Sequence, residues 1–267
     1  MTPDITRHTA LITGASSGIG HELAREFAAH GHDVVLVARR QTALEALAEE
    51  LGTAHGVSAT VVPADLTAPE APHMLHERVR QEKIPIGVLV NNAGVAFSGR
   101  FRKLDPARID TMLALNIGAV TKLARLFVTD MVRQGHGHIM NVASTAAFQP
   151  LPMMAVYAAT KAYVLSFSEA LSAELAGTGV AVTALCPGFT DTEMLRKGER
   201  KTGRNEVFHK LMVMDPRQVA REGYRACMRG DPLHVTGVTN RGVATLTQLL
   251  PRAALRGLGR VTARERH

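Results

Sequence analysis

Hydrophobic residues in this chain occur in short unbroken runs, and these runs alternate with longer segments in which apolar residues recur at helical spacing. A strand of a parallel sheet is buried on both faces, so it produces a continuous apolar run rather than strict alternation. The pattern therefore predicts alternating strands and helices. The predicted strands cover residues 9–13, 33–38, 59–63, 87–90, 138–142, 180–185 and roughly 233–236.

Capping residues and glycines mark the helix boundaries. Asp105-Pro106 and Asp215-Pro216 each place a capping carboxylate before a proline, which favours a helix start. The second of these helices is expected to end at Gly230. The other predicted helices run from a glycine-rich turn to residue 30, over 42–54 and 70–82, from 105 to about 133, and through 157–161 to about 175.

The length and composition favour one globular domain over residues 1–267. No low-complexity linker divides the chain, and 46% of its residues are hydrophobic. Cys186 and Cys227 are its two cysteines, and no secretory hydrophobic segment precedes Arg7, so we expect reduced thiols and a cytoplasmic location. No uninterrupted apolar run reaches the length that spans a membrane.

The formal net charge of +7 raises the question of an anionic partner. The basic residues lack interleaved aromatic residues, and no nucleic-acid-binding motif is present, so we expect no nucleic acid. A phosphate-bearing ligand explains part of the charge more simply. The histidine pairs at 30/32, 73/76 and 136/138 lack the accompanying ligands of a metal site, so we expect no metal.

A glycine-rich turn joins the first strand to the first helix. Glycines allow the backbone to turn tightly and to approach a pyrophosphate, and a helix N-terminus offers unpaired N–H groups. A strand before the turn and a helix after it are the context that this motif requires, so we predict dinucleotide binding. The glycine spacing is GxxxGxG, and the candidate residues are Gly14, Ser16, Ser17, Gly18, Ile19 and Gly20.

The end of the second strand indicates which dinucleotide is bound. An acidic residue there would hydrogen-bond the adenosine ribose of NAD, but Ala38 stands in that place and Arg39 and Arg40 follow it. Guanidinium groups suit a 2′-phosphate, so we predict NADP; a solvated charge pair is the alternative. Asp65-Leu66 follows the third strand, where the carboxylate can accept from the adenine amino group.

Small and polar residues follow the next strands at the same edge of the sheet. The fourth strand runs into Asn91-Asn92-Ala93-Gly94, which is either a ligand-facing segment or a plain turn. Asn116 lies inside a helix among apolar neighbours, where its amide must be hydrogen-bonded and can hold a water. Ser144 follows the fifth strand and can donate to a developing oxyanion, although such a serine is commonly a turn residue.

Tyr157 and Lys161 lie four residues apart in a predicted helix and therefore share a face. A nearby ammonium favours the phenolate, so we expect Lys161 to lower the pKa of Tyr157. Such a tyrosine can exchange a proton with a carbonyl oxygen or an alcohol. In isolation the pair is weak evidence, because a half-buried Tyr beside a Lys is common in helices.

The chain after the sixth strand contains further candidates. Cys186 is expected to be a packed thiol, and Pro187, Gly188, Thr190 and Thr192 are candidate cofactor contacts. Residues 189–214 are charged and Met-rich, which indicates a lid over the substrate. The basic residues of this lid either attract an anionic substrate or form a solvated surface. Residues 240–267 form a basic amphipathic segment that packs either on a subunit or on an anionic membrane.

Taken together, these motifs resemble the short-chain dehydrogenase/reductase family over residues 9–192. The residues that carry the resemblance are 13–20, Asn91-Asn92-Ala93-Gly94, Asn116, Ser144, Tyr157-x-x-x-Lys161 and Pro187-Gly188. The resemblance implies that Tyr157 is the acid/base, that Lys161 lowers its pKa and holds the nicotinamide ribose, and that Ser144 orients the carbonyl. It also implies that Asn116 holds a relay water. More loosely, the chain is similar to bacterial hydroxysteroid and 3-ketoacyl reductases.

We therefore expect an α/β fold of the Rossmann type: a doubly wound, seven-stranded parallel sheet in the order 3-2-1-4-5-6-7 with helices on both faces. The expected activity is NADPH-dependent interconversion of an apolar ketone or aldehyde and its alcohol. An NAD-linked alcohol dehydrogenase and a non-catalytic dinucleotide-binding or membrane-surface protein are the alternatives. The family's habit of packing its long helices across two-fold axes implies a homodimer or homotetramer.

Overall fold

The computed structural model of the protein describes residues 8–191 and 213–250. Within them, seven strands form one parallel sheet in the order 3-2-1-4-5-6-7, which confirms the predicted fold class and strand order. The strands are β1 (Thr9–Thr13), β2 (Val34–Ala38), β3 (Ala59–Pro63), β4 (Ile86–Asn91), β5 (Gly137–Val142), β6 (Val180–Cys186) and β7 (Leu233–Val235).

Helices cover both faces of this sheet. One core cluster joins the sheet to α1, α2 and α7, and a second joins the other face to α3 and α5. Neighbouring residues of β1 show the division, since Ile12 belongs to the first cluster and Leu11 to the second. The helices are α1 (Gly18–Ala29), α2 (Gln41–His55), α3 (Ala71–Gln81), α4 (Pro106–Leu113), α5 (Val120–Gln134), α6 (Ala155–Glu174), α7 (Pro216–Arg229) and α8 (Val238–Leu249).

The helix predicted over 105–133 contains a π-helical segment, Ala114–Ala119, between α4 and α5. Asp105 caps its start by accepting a hydrogen bond from Ala107 N at 3.0 Å, as the sequence predicts. Asn116 lies inside this segment, and the sequence pattern did not predict the wider π turn. Such segments are frequent at functional sites.

This combined helix, Pro106–Gln134, is long and apolar enough to cross a membrane, with a mean hydropathy of 1.4 in its most apolar window. Charged residues such as Asp110, Lys122 and Asp130 interrupt it, so it is not an uninterrupted apolar run. Core packing accounts for much of the apolar composition, since Leu123, Phe127 and Met131 lie in the second core cluster against the sheet.

The predicted lid begins and ends at one place on the fold. Thr190 pairs with Met214 in an isolated parallel bridge, in which Met214 N donates to Phe189 O at 2.8 Å and Asp191 N donates to Met214 O at 3.1 Å. Most of the predicted lid lies outside the described residues. The predicted C-terminal segment begins in α8, and residues 251–267 also lie outside them.

Candidate active site

The predicted site residues gather at one edge of the sheet, where the strands have their carboxyl ends. The glycine turn follows β1, the arginine pair β2, Asp65 β3, the Asn-Asn-Ala-Gly segment β4, Ser144 β5, and the Pro-Gly turn β6. In open α/β sheets ligands bind at this edge. Tyr157 and Lys161 reach it from α6, which begins shortly after β5.

The glycine turn is shaped so that no side chain could stand at two of its positions. Gly14 has φ +71°, and a Cβ on Gly20 would lie 2.3 Å from Asn92 Nδ2 and 2.5 Å from Gly14 O. Both glycines are therefore required for the first helical turn to approach β4. Ser17 precedes α1 in an extended conformation and makes no side-chain cap, so the first-turn N–H groups face the edge without that partner.

Thr13 and Asn92 join the glycine turn to the segment after β4, and we call this joined structure the cradle. Neither residue was predicted as a cofactor contact. Thr13 Oγ1 accepts hydrogen bonds from the backbone N–H groups of Asn92 and Ala93, each at 2.9 Å, and donates to Val90 O at 3.2 Å. Asn92 Nδ2 donates to Thr13 O at 2.9 Å. The available signal was their place in the sequence, one residue before the first glycine and one after β4.

The two arginines after β2 have different surroundings. Arg40 lies against the glycine turn, with its guanidinium 3.2 Å from Ser16 O and 3.3 Å from Ser16 Oγ. Arg39 points to Asp65, with 3.9 Å between Nη1 and the carboxylate. Asp65 also accepts from Thr67 N at 3.1 Å and Thr67 Oγ1 at 2.8 Å, so its carboxylate is already engaged in its own turn.

Two predicted cofactor contacts have side chains that lie in the interior. Asn91 is buried, and its Nδ2 donates to Asn141 Oδ1 at 2.9 Å, so this amide joins β4 to β5 instead of facing a ligand. Leu66 belongs to the second core cluster. The prediction that these two residues contact the cofactor therefore concerns their backbones, because their side chains are held in the interior.

Ser144 and Tyr157 meet at the centre of the edge. Their side chains share a hydrogen bond, which lowers the pKa of Tyr157, but burial outweighs it and raises that pKa overall. The lowering expected from Lys161 stays a prediction, and with its pKa raised by burial Tyr157 is a neutral phenol at neutral pH. Ser144 Oγ also accepts from Ala146 N at 3.1 Å and lies 3.4 Å from Pro187 O, which fixes the serine rotamer.

Lys161 is buried beneath this pair. Its ammonium donates to Val142 O at 2.7 Å and lies 5.9 Å from the centre of the Tyr157 ring. Burial lowers the pKa of Lys161 to about 8, so the group is mainly charged at neutral pH. Burial also raises the pKa of the neighbouring Cys186 thiol to about 12, which agrees with the prediction of a packed thiol.

Asn116 brings the helix with the π segment to the same place. Its Oδ1 accepts from Val95 N at 2.9 Å, and its Nδ2 donates to Val95 O at 2.9 Å and Thr160 Oγ1 at 3.1 Å. A Cβ on Gly94 would lie 3.2 Å from this Oδ1 and 3.6 Å from Lys161 Nζ, so both atoms border the glycine. The amide donors are thus both used, one by the loop after β4 and the other by Thr160 on α6.

The turn after β6 closes the site. Thr145 N donates to Pro187 O at 2.9 Å, and Thr190 Oγ1 donates to Gly188 O at 3.1 Å, so the predicted Thr190 hydroxyl also stabilises its own turn. A Cβ on Gly188 would lie 2.3 Å from Asn240 Nδ2, which shows how closely α8 packs here. Thr192, the remaining prediction, lies outside the described residues.

Metal-ligand clusters form no part of this site. Within residues 8–191 and 213–250, no group of three or more His, Cys, Asp or Glu side chains is placed to hold a metal ion. A dinucleotide, in contrast, fits what is present: a cradle that a Cβ would fill, first-turn N–H groups facing the edge, and a guanidinium beside the cradle.

A doubly wound sheet with this cradle and a Ser-Tyr-Lys group at its carboxyl edge defines a dinucleotide-binding oxidoreductase. The model of the short chain dehydrogenase family matches residues 8–203, and the chain belongs to that family.

Known relatives agree over most of the chain. An uncharacterised oxidoreductase of Staphylococcus epidermidis is 36% identical over 200 residues, which is 74% of this chain and 85% of that protein. A solved short-chain dehydrogenase from Sphingobium yanoikuyae in complex with NADPH is 36% identical, with a TM-score of 0.79 and 94% of each chain covered. The bulky-bulky ketone specific alcohol dehydrogenase from Comamonas testosteroni is 32% identical, with a TM-score of 0.76, covering 92% of this chain and 96% of that one.

Proposed function

We propose that the protein is an NADPH-dependent carbonyl reductase that converts an apolar ketone or aldehyde to the alcohol, and that the reaction is reversible. The observation that carries the proposal is the hydrogen-bonded pair of Ser144 and Tyr157 above the buried ammonium of Lys161. These three groups can polarise a carbonyl and protonate its oxygen.

The preference for NADPH rests on the end of β2. No carboxylate stands at Ala38 to bind a ribose hydroxyl, and Arg40 lies beside the glycine cradle with Arg39 next to it. Two guanidinium groups favour a 2′-phosphate by charge and by bidentate geometry. The similar dehydrogenase from Sphingobium yanoikuyae was solved with NADPH, which supports the same choice.

Bound NADPH supplies the hydride. The protein's own contribution begins with Tyr157, whose raised pKa keeps the phenol protonated at neutral pH and so able to give its proton to the substrate oxygen. Ser144 Oγ holds that oxygen by a hydrogen bond beside the phenol.

Lys161 and Asn116 support this step from below. The Lys161 ammonium stabilises negative charge on Tyr157 after the proton has left, since it is the buried cation nearest to the ring. Asn116 Oδ1 and Lys161 Nζ border Gly94 together, and a water held between them would return a proton to the tyrosine. Asn116 also positions the loop after β4 through Val95.

An apolar carbonyl compound is the proposed substrate class. Small apolar residues stand beside Ser144 in the chain: Ala143 and Ala146 are buried, and Ala147 packs against the third core cluster. The similar enzyme from Comamonas testosteroni is specific for bulky-bulky ketones, which supports this choice. Binding an apolar substrate there would exclude water from the proton transfer.

Turnover by the purified full chain tests the proposal. NADPH and NADH oxidation would be measured separately against apolar ketones, steroids, 3-oxoacyl thioesters and aldehydes. Tyr157→Phe should lower kcat by about 10²- to 10⁴-fold while leaving NADPH affinity nearly unchanged, because only the proton donor is lost. A Tyr157→Phe protein that retains most of its turnover would refute the mechanism. A clear preference for NADH would favour an NAD-linked alcohol dehydrogenase, and NADPH binding without turnover would favour a non-catalytic role.

We also propose a cytoplasmic homodimer. An apolar groove of 520 Å³ lies between α4, the π segment and α6, on the side of the catalytic helix away from Tyr157. Phe101, Leu113 and Tyr163 line it and are exposed, so a second copy would bury them. Light scattering of the wild-type protein should give twice the chain mass. The Leu113→Asp variant should have the mass of a single chain. A monomeric wild type would contradict the proposal.

A further inference from the structure

Thr160 lies between Tyr157 and Lys161 in the sequence of α6, and its side chain is turned into the protein. The residue is 1% exposed, as is Asn116 across from it. Its Oγ1 donates to Tyr157 O at 2.7 Å and accepts from Asn116 Nδ2 at 3.1 Å. Because a hydroxyl has one proton to donate, these two bonds fix its direction. The side chain therefore joins the catalytic helix to the π segment.

The bond to the Tyr157 carbonyl acts on the backbone from which the phenol extends. In a regular helix this carbonyl accepts from the N–H group of the residue four positions later, which is Lys161. A threonine hydroxyl that bonds to a carbonyl of the preceding turn adds a second bond to that oxygen and bends the helix locally. The backbone at Tyr157 is thus held from two directions, along the helix by Lys161 N and from the side by Thr160 Oγ1.

The bond from Asn116 connects Thr160 to the loop after β4. Asn116 has two amide protons, of which one goes to Val95 O at 2.9 Å and the other to Thr160. Its Oδ1 accepts from Val95 N at 2.9 Å. Without the Thr160 hydroxyl, one buried amide proton would lose its acceptor, and burial of such a donor is costly. A continuous set of hydrogen bonds therefore runs from Val95 through Asn116 and Thr160 to the backbone of Tyr157.

We propose that Thr160 is a positioning residue that sets the place of the Tyr157 phenol relative to Asn116 and the loop after β4. This role rests on the proposed function, in which Tyr157 gives its proton to a carbonyl oxygen. The Thr160 proton is already given to Tyr157 O, so Thr160 acts through its neighbours and not on the substrate. A small displacement of a reacting group is enough to lower a rate by an order of magnitude or more.

A second threonine joins the same two helices at the outer surface and provides a matched control. Thr121 Oγ1 on α5 donates to Ile117 O at 2.9 Å and lies 2.9 Å from the phenol oxygen of Tyr163 on α6. Tyr163 is 38% exposed. Valine in place of either threonine keeps the shape of the side chain and removes the hydroxyl. Thr121→Val therefore removes a bond between the helices that does not involve Tyr157 or Asn116.

Kinetics of the full chain with NADPH and an accepted ketone test the proposal. Thr160→Val should lower kcat about tenfold, while KM for the ketone and the dissociation constant of NADPH each change less than about twofold. Thr160→Ser keeps the hydroxyl and should restore kcat to within about threefold of the wild type, and Thr121→Val should change kcat less than about twofold. In an Asn116→Ala background, Thr160→Val should lower kcat less than about threefold, because its bond to Asn116 is already gone.

Carbon-13 NMR gives a readout that needs no turnover. The chain has three tyrosines, so labelling at Cζ gives three signals, and Tyr157→Phe identifies the signal of Tyr157. We expect Thr160→Val to shift the Tyr157 signal and Thr121→Val to shift the signal of Tyr163 instead. A wild type without turnover in which Thr160→Val still shifts the Tyr157 signal would refute the proposed function and support the positioning role.

Three results would overturn the positioning role. One is that Thr160→Val keeps both its kcat and the wild-type Tyr157 signal. Another is that Thr160→Val and Thr121→Val lower kcat equally, or that Thr160→Ser is as slow as Thr160→Val. The third is that Thr160→Val lowers kcat only together with the mass in light scattering, which would assign the effect to a contact between copies, since Thr160 also borders the apolar groove. Thermal unfolding shows which variants are folded, and Thr160→Ala replaces Thr160→Val if the latter is not.

Discussion

Two arginines that are adjacent in sequence have different surroundings at the end of β2. Arg40 contacts Ser16 in the glycine turn, whereas Arg39 is 69% exposed and faces Asp65. We predict that Arg40→Gln lowers the preference for NADPH over NADH by about tenfold to hundredfold, because a charge-assisted contact to the 2′-phosphate is lost. Arg39→Gln should have the smaller effect. Dissociation constants for both dinucleotides measure the two changes, and equal effects would contradict the assignment.

Substitution of Thr13 would show whether the cradle needs the hydrogen bonds of its hydroxyl group, which contacts backbone groups only. Thr13→Val keeps the shape but removes the acceptor of the Ala93 N–H group and leaves the Asn92 N–H group with Val90 O alone. We predict a loss of about 1–3 kcal/mol in the free energy of unfolding and weaker NADPH binding. Thr13→Ser retains the hydroxyl and is the control. Urea unfolding and fluorescence titration would measure both effects, and a Val variant indistinguishable from Ser would disprove the role.

At the residue scale the sequence predicted the groups that carry chemistry better than those that position them. Tyr157, Lys161, Ser144 and the glycines have few replacements for their tasks, so their types and spacing were informative. Thr13 acts on backbone groups that follow a strand far away in the sequence, and its place before the first glycine was the one signal of that contact. The pKa of Tyr157 was also beyond the sequence, because burial, which outweighs the neighbouring groups, is a property of the folded chain.

At the element scale, the fit between the turn after β6 and α8 can be tested with two glycines. A Cβ at Gly188 would meet Asn240 Nδ2 at 2.3 Å, whereas a Cβ at Gly242 meets nothing within 4 Å. We predict that Gly188→Ala destabilises the protein by about 1–3 kcal/mol and breaks the bond from Asn240 to Thr236.

Gly242→Ala is the matched control in α8 itself. It should stabilise the protein by up to about 1 kcal/mol, since alanine favours a helix interior and the site is open. Urea unfolding of both variants would show opposite signs. Loss of stability in both would mean that α8 tolerates no added methyl group, and the packing described for Gly188 would not be the cause.

The limits of sequence reasoning at this scale are visible in two helices. The helix over 105–133 was predicted from caps and apolar spacing, but neither signal predicted the π segment that contains Asn116. Apolar spacing also suggested that α8 is amphipathic, but it could not show which side faces the core. The buried side is set by Asn240, whose amide is held by Thr236.

At the scale of the whole molecule, the strand order followed from the sequence because each buried run is short and each crossover contains a helix. What the sequence did not show is the opposite edge of the sheet. Four histidines meet there: His8 before β1, His32 before β2, and His136 and His138 at the start of β5. The rings of His8 and His136 stack with centres 4.6 Å apart, and His32 Nδ1 lies 2.8 Å from His8 O.

Other groups face these histidines from the neighbouring helix and strand. Tyr224 OH lies 3.3 Å from His32 Nε2, and the Tyr224 ring also stacks on His30. His138 is hydrogen-bonded to the backbone of Cys227, while its Nδ1 is buried without a partner among the described residues. Asp33 raises the pKa of His32, but this effect is smaller than the lowering by burial.

Acid should therefore destabilise this protein through the histidine cluster. Burial, with smaller effects from the neighbouring histidines, lowers the pKa values of His8, His32 and His138 in the folded state. Below a pH of about 6.5 the unfolded chain then binds more protons than the folded one, so the free energy of unfolding decreases as the pH falls through that region. Urea unfolding at pH 7.5 and 5.0 measures this decrease in the free energy of unfolding.

His136→Gln should make the decrease smaller, because it removes a charge beside His8. His73→Gln is the control, since His73 is exposed on α3 and should leave the decrease unchanged. Equal decreases in the two variants would show that the cluster is not responsible.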